Sequence, residues 1–222
     1  IDLGWKEKET TGICILEEEK GTLFPSELWC KECQVILGRE ILRKISPFLK
    51  NTKVIAIDAP LTKGKGKGDM RLYEKFLSTK IFKEERVSPI PPALMAKLCF
   101  FGRELKRKLG KRGFVLDTNL IEVFPTITKK LCNDYIFLKL FGKSLKDFSC
   151  RGEDQKSALL CASLAYLHSR FKTRYLGYKD GFLFFPEMSF WTKEWRQKFY
   201  QAWMARSRLR YRYLITNIFD KK

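Results

Sequence analysis

Four carboxylate positions in this chain stand where acids are seldom found. Asp2 lies in IDLGW, Asp58 ends the apolar run KVIAID, Glu122 sits inside LIEVFP, and Glu153 and Asp154 open GEDQKSALLCASLAYLHSR. Acids are depleted in strands and almost never buried without partners. One strand acid reads as a local ion pair, whereas three on strands and a pair at a helix start read as a set. If they converge, two charges 4 Å apart repel by about 4 kcal/mol at an effective dielectric of 20, so protons or cations must neutralise them. Oxygen donors without histidine or cysteine suit Mg²⁺ or Mn²⁺. A pair of such ions roughly 3.5–4 Å apart can activate a water and stabilise the leaving oxygen of a phosphodiester. The competing reading is a scatter of strand-end acids that cap helices or pair with lysines.

A second group of residues is basic. Lys63, Lys65 and Lys67 alternate with Gly64, Gly66 and Gly68 just after Asp58, and Arg71 follows. Such a loop can offer ammonium groups and backbone N–H groups to a phosphate chain, or it can be a solvated loop. Its spacing is not that of a Walker A loop, so no nucleoside triphosphate pocket is implied. Near the C-terminus Arg206, Arg208 and Arg210 mix with tryptophan and tyrosine, which suits backbone binding and base stacking. Packing of those aromatics into the core explains the tryptophans equally well. The whole chain carries 44 Lys and Arg against 25 Asp and Glu, a net charge of +19. That surplus favours a polyanionic partner, DNA or RNA, over the alternative of a lysine-rich surface with no such partner.

The elements that must position these groups follow from periodicity. TTGICILEEE reads as a strand, EKGT as a turn and TLF as a short returning strand, which with the Asp2 segment makes an antiparallel start. ECQVILGREILRKISPFL has helical spacing and stops near Pro47. KVIAID and NLIEVFP are buried strands, RLYEKFLS is a weak helix, and SPIPP is extended because proline restricts itself and its predecessor. ALMAKLCFFGRELKRKLGKRG is an amphipathic helix stopped by Gly113, and GEDQKSALLCASLAYLHSR is a helix with an acidic first turn. DGFLFFP reads as a strand, and residues 191–222 as one or two helices or a tail. The order favours one α/β domain with a mixed sheet flanked by helices, 1–190 forming its body and 191–222 a basic, aromatic extension of it.

The 222 residues, 45% of them hydrophobic, suffice for a real core, and no apolar run approaches the ~20 residues of a membrane span. No membrane association is expected, and with no signal-peptide pattern the expected location is the cytoplasm. IDLGW reads as the second half of a strand, so a few residues are expected to precede Ile1. The seven cysteines lie mostly in apolar contexts, as reduced thiols would. The CKEC of Cys30 and Cys33 lacks the second pair that a zinc site needs. His168, the single histidine, reads as a helix-end or surface residue rather than a catalyst.

Taken together, IDLGW, IAIDAPL, PPALMAKLCFFGRELKRKL, LIEVFP and LGYKDGFLFFP resemble, in order over residues 1 to about 190, the DUF429 family of predicted nucleases with the ribonuclease H fold. The resemblance implies a ribonuclease H-like mixed sheet whose first three strands are antiparallel. It implies that Asp2, Asp58 and Glu122 are metal ligands and matches Arg71 and Glu74 to an arginine–acid pair. It also marks a departure. Ser157 stands where an aspartate is usual, leaving Asp154, one turn earlier on the same helix face, to complete the set. The expectation is a Mg²⁺- or Mn²⁺-dependent nuclease using Asp2, Asp58, Glu122 and Asp154. A non-catalytic nucleic-acid binder is the alternative, and an actin-like phosphotransferase, lacking its glycine-rich nucleotide loops here, ranks last.

Overall fold

In a computed structural model, residues 1–4, 10–32, 37–150, 152–208 and 212–220 are described, with the backbone alone for residues 10, 29–32, 37–39 and 208. The β-branched run after Thr10 forms β1 (Thr10–Glu19), which turns back into β2 (Thr22–Glu32). Lys20 and Gly21 both have positive φ, the backbone a two-residue hairpin demands, so the EKGT turn is where the sequence puts it. The returning strand is far longer than TLF. Pro25 does not end it, because the register shifts there (Ile15 faces Glu27, Leu16 faces Pro25), and the bulge absorbs a residue that cannot donate to the ladder.

Helix α1 (Leu37–Ile45) is followed by β3 (Ile55–Ile57), α2 (Leu72–Leu77), α3 (Lys80–Glu84) and α4 (Ala96–Gly110). Then come β4 (Leu120–Glu122), α5 (Pro125–Cys132), α6 (Tyr135–Phe141) and α7 (Glu153–Ser169). The antiparallel pair β5 (Thr173–Tyr178) and β6 (Gly181–Pro186), helix α8 (Lys193–Ala205) and the short β7 (Ile215–Thr216) complete the order. Strand β5 escaped the sequence reading, since TRYLGY is short and half polar. The result is a mixed α/β structure with a β1–β2 antiparallel pair, a β3–β4 parallel pair and a β6–β5–β7 antiparallel sheet. Isolated bridges join them: Asp2 pairs antiparallel with Gly12 and parallel with Asp58, and Val123 pairs with Phe184.

Alternation then decides which face each residue serves. Ile1, Leu3, Ile13, Ile55 and Ile57 enter one cluster with Ile41, Leu105 and Leu109 from α1 and α4. Cys14 joins the opposite cluster with Leu159 and Leu160 of α7, and Ala56, Ile121 and Val123 meet Cys161 and Leu164 of the same helix. Helix α8 belongs to this second layer. Trp191, Trp195 and Phe199 are buried there, and Phe199 meets Phe76, Phe82 and Phe185 edge-on. The tryptophans at 191 and 195 are therefore core, not a stacking surface. Among the described residues no helix is long and apolar enough to cross a membrane.

Candidate functional site

Asp2 lies between two residues that face α1 and α4, so alternation turns its side chain towards α7. Asp58, two residues beyond Ala56, takes the same direction at the end of β3. Glu122 has the other parity, because its neighbours Ile121 and Val123 face α7. Asp154 comes from the first turn of α7, which docks closely on β1 at Gly12: a Cβ there would lie 2.2 Å from the Asp154 carbonyl oxygen. All four acids line one cavity of about 320 Å³ at the ends of the strands. The sequence set is thus brought together, from four separated segments.

The acids are electrostatically linked. Asp154 raises the pKa of Asp2, and Asp2 and Glu122 both raise that of Asp58. Burial is the largest cause in both cases, pushing Asp2 up to about 6 and Asp58 well above the usual carboxylate range. Asp2 and Asp58 lie side by side across a parallel bridge, and the charge of Asp2 raises the pKa of Asp58, so the pair favours a bound proton. A proton here does the neutralising that two neighbouring carboxylates require. Among the described residues, no three His, Cys, Asp or Glu side chains are arranged to hold one ion.

Glu122 is tied into its own network. Its Oε2 accepts from the Leu61 N–H at 2.8 Å and from Arg71 Nη1 at 2.6 Å, and its Oε1 accepts from the Tyr73 hydroxyl. Three of its roughly four lone-pair directions are therefore used. Arg71 is 1% exposed and also donates through Nη2 to Glu74 Oε1 at 2.6 Å. Burial disfavours its charge, yet Glu122 and Glu74 together hold it firmly protonated. Arg71 is thus no surface contact for a nucleic-acid backbone. Both ends of its guanidinium are committed to carboxylates inside the protein.

The remaining basic positions lie elsewhere. Lys63, Lys65 and Lys67 are exposed and do not line the cavity, and Lys63 stands 3.5 Å from Asp69. Arg206 donates to the Trp203 carbonyl and stacks on the Trp203 ring, 3.6 Å from its centroid. The Arg208 side chain and the whole of Arg210 lie outside the described residues, as do Cys33 and the Cys30 side chain. His168 is fixed between the Thr173 hydroxyl and the Thr118 carbonyl, so it joins α7 to the start of β5 and to the turn before β4. Burial lowers its pKa.

Two residues of the site went unread in the sequence. Tyr73 sits between Arg71 and Glu74, and only their i, i+3 pairing hinted that this turn carries anything beyond a weak helix. Lys129 of α5 reaches Glu153 at 3.1 Å and Ser157 at 3.3 Å, and its charge lowers the pKa of Asp2. Nothing in TITKKLC distinguishes it from a surface lysine. A scan against family models and searches of curated proteins and of solved structures find no match to this chain.

Proposed function

We propose that the protein is a metal-dependent nuclease that hydrolyses phosphodiester bonds of DNA or RNA, built on a ribonuclease H-like sheet. The observation that carries this reading is the set of four carboxylates, gathered from four segments onto one cavity in a chain of net charge +19. The bridges support the fold. Read through them, the strands run β2, β1, the Asp2 segment, β3, β4, with the first three antiparallel and the last two parallel to the Asp2 segment.

The donor chemistry suits a hard divalent cation. The donors are all oxygen, and the raised pKa values of Asp2 and Asp58 mark a place where positive charge is called for. Asp2 and Asp58 would hold Mg²⁺ or Mn²⁺, with Asp154 and Glu122 as the further oxygen donors on the same cavity. Such an ion, when bound, supplies Lewis-acid polarisation of a phosphoryl oxygen. Arg71 and Tyr73 keep Glu122 oriented. Lys129 adds a fixed positive charge beside Asp2. Five free thiols among the described residues suit a reducing compartment such as the cytoplasm.

The test is a calorimetric Mn²⁺ titration of the wild type and Asp58→Ala, alone and with a nuclease-resistant oligonucleotide, followed by cleavage assays. Binding abolished by the substitution, with metal-dependent cleavage, is the expected result. Absence of Mn²⁺ binding under both conditions would overturn the reading. A second reading is favoured by Lys129. An ammonium against Ser157 and beside Asp2 can replace a cation, leaving a nucleic-acid binder without catalysis. It predicts salt-sensitive binding and no metal-dependent cleavage.

A further inference from the structure

At one edge the cavity opens beside exposed apolar side chains. Pro89 and Ile90 line it, and Ile90 is 50% exposed at its mouth. Leu94, in the next turn, is 70% exposed, and Phe100, further along α4, is 56% exposed. Lys97 lies between the last two and is itself exposed. The lysine–glycine loop packs beside this segment outside the cavity, since Gly68 lies against Pro91 and Lys67 next to it is exposed. Large apolar side chains left in water beside ammonium groups mark a contact surface rather than a solvated face.

We infer that this cleft takes single-stranded nucleic acid, with unpaired bases resting on Ile90, Leu94 and Phe100 while the backbone enters the acidic recess. The inference rests on the phosphodiester reading above and narrows its substrate class. Two features argue for an unpaired strand. The acids line a recess of about 320 Å³, where Glu122 is buried and Asp2, Asp58 and Asp154 are half-buried. A duplex is stiff over ~150 base pairs and cannot thread its backbone into such a recess, whereas a flexible strand can. Moreover, apolar and aromatic faces bind bases only when the bases are unstacked from their partners. Lys67 and Lys97 complement the phosphates that run between those bases.

The experiment is fluorescence anisotropy in Mn²⁺ with nuclease-resistant probes, so that the acids are offset while no cleavage occurs. The probes are a 12-nucleotide single strand as DNA and as RNA, the matching duplex, and an abasic strand of equal length. The expected result is at least tenfold tighter binding of one or both single strands than of the duplex. The abasic strand should bind fivefold to tenfold more weakly than its parent. The double substitution Ile90→Ser, Leu94→Ser should cause a similar loss for the single strand only. Its salt slope should stay unchanged, because no charge is removed. These positions are exposed, so thermal melts should match the wild type. Equal affinity for strand, duplex and abasic strand would overturn this inference and leave the phosphodiester reading standing. Failure to bind any of the probes, with Mn²⁺ still bound, would overturn both.

Discussion

At the scale of single residues, the site is a place where charge is held against its preference. Asp2, pushed up to about 6, binds a proton in the folded protein over a range in which the unfolded chain, at 3.8, has lost it. Stability from this group is therefore full below about pH 4, falls as pH rises through 6, and stays reduced above it. Asp2→Asn should stabilise the metal-free protein by about 1–3 kcal/mol at pH 7.5, with the gain vanishing towards pH 4. Urea titrations in EDTA at both pH values measure it, and an equal gain at both would show that the buried charge is not the cause. Arg71 is the opposite case. Arg71→Met leaves Glu74 and Glu122 buried without their partner and should cost about 3–5 kcal/mol. Adding Glu122→Gln should recover part of that loss, because it removes one of the two stranded charges.

At the scale of elements, the site depends on how α7 sits on the hairpin. Gly12 allows the first turn of α7 to touch β1, and that contact sets where Asp154 stands relative to Asp2. An alanine at this position meets the Asp154 carbonyl and, at 2.9 Å, the Ala158 Cβ, so the helix must move. Gly12→Ala should destabilise the protein by about 1–3 kcal/mol and weaken Mn²⁺ binding as well. A variant that loses stability while keeping its full Mn²⁺ affinity would show that Asp154 takes no part in the site. The parity of β4 acts in the same way. It directs Glu122 to the Arg71 side of the sheet, so the acid that reads as a ligand is first an anchor for the loop after β3.

At the scale of the whole molecule, one core unites the sheet, α7 and the C-terminal segment. Phe199, fully buried, bridges rings from α2, α3 and β6, and β7 hydrogen-bonds to β5. Phe199→Ala should cost about 3–5 kcal/mol, as a large core truncation does. A single cooperative unfolding transition should be kept at a lower midpoint. Two separated transitions would mean that residues 191–222 form a unit of their own. The segment's aromatic content thus serves mainly to close the second layer. Among its described residues, Tyr200 at 51% and Tyr213 at 54% are aromatics left exposed for outside contacts.

The sequence by itself determined much of this protein. Alternation in TTGICILEEE, the apolar runs ending at Asp58 and at Glu122, and the helical spacing of SALLCASLAYL are local signals, and local signals specify elements. They also singled out Asp2, Asp58 and Glu122, because an acid on a buried strand is anomalous wherever the strand goes. Glu153 and Asp154 stand out only as an acidic first helical turn, from which the family resemblance selects Asp154. Tertiary structure alone decided what surrounds those acids. Side-chain burial, the commitment of Arg71 to Glu74 and Glu122, the hydroxyl of Tyr73 and the reach of Lys129 all depend on contacts between residues distant in the chain. Whether a lysine or arginine faces a phosphate, a carboxylate or water is set by that packing, and its letter in the sequence is the same in each case.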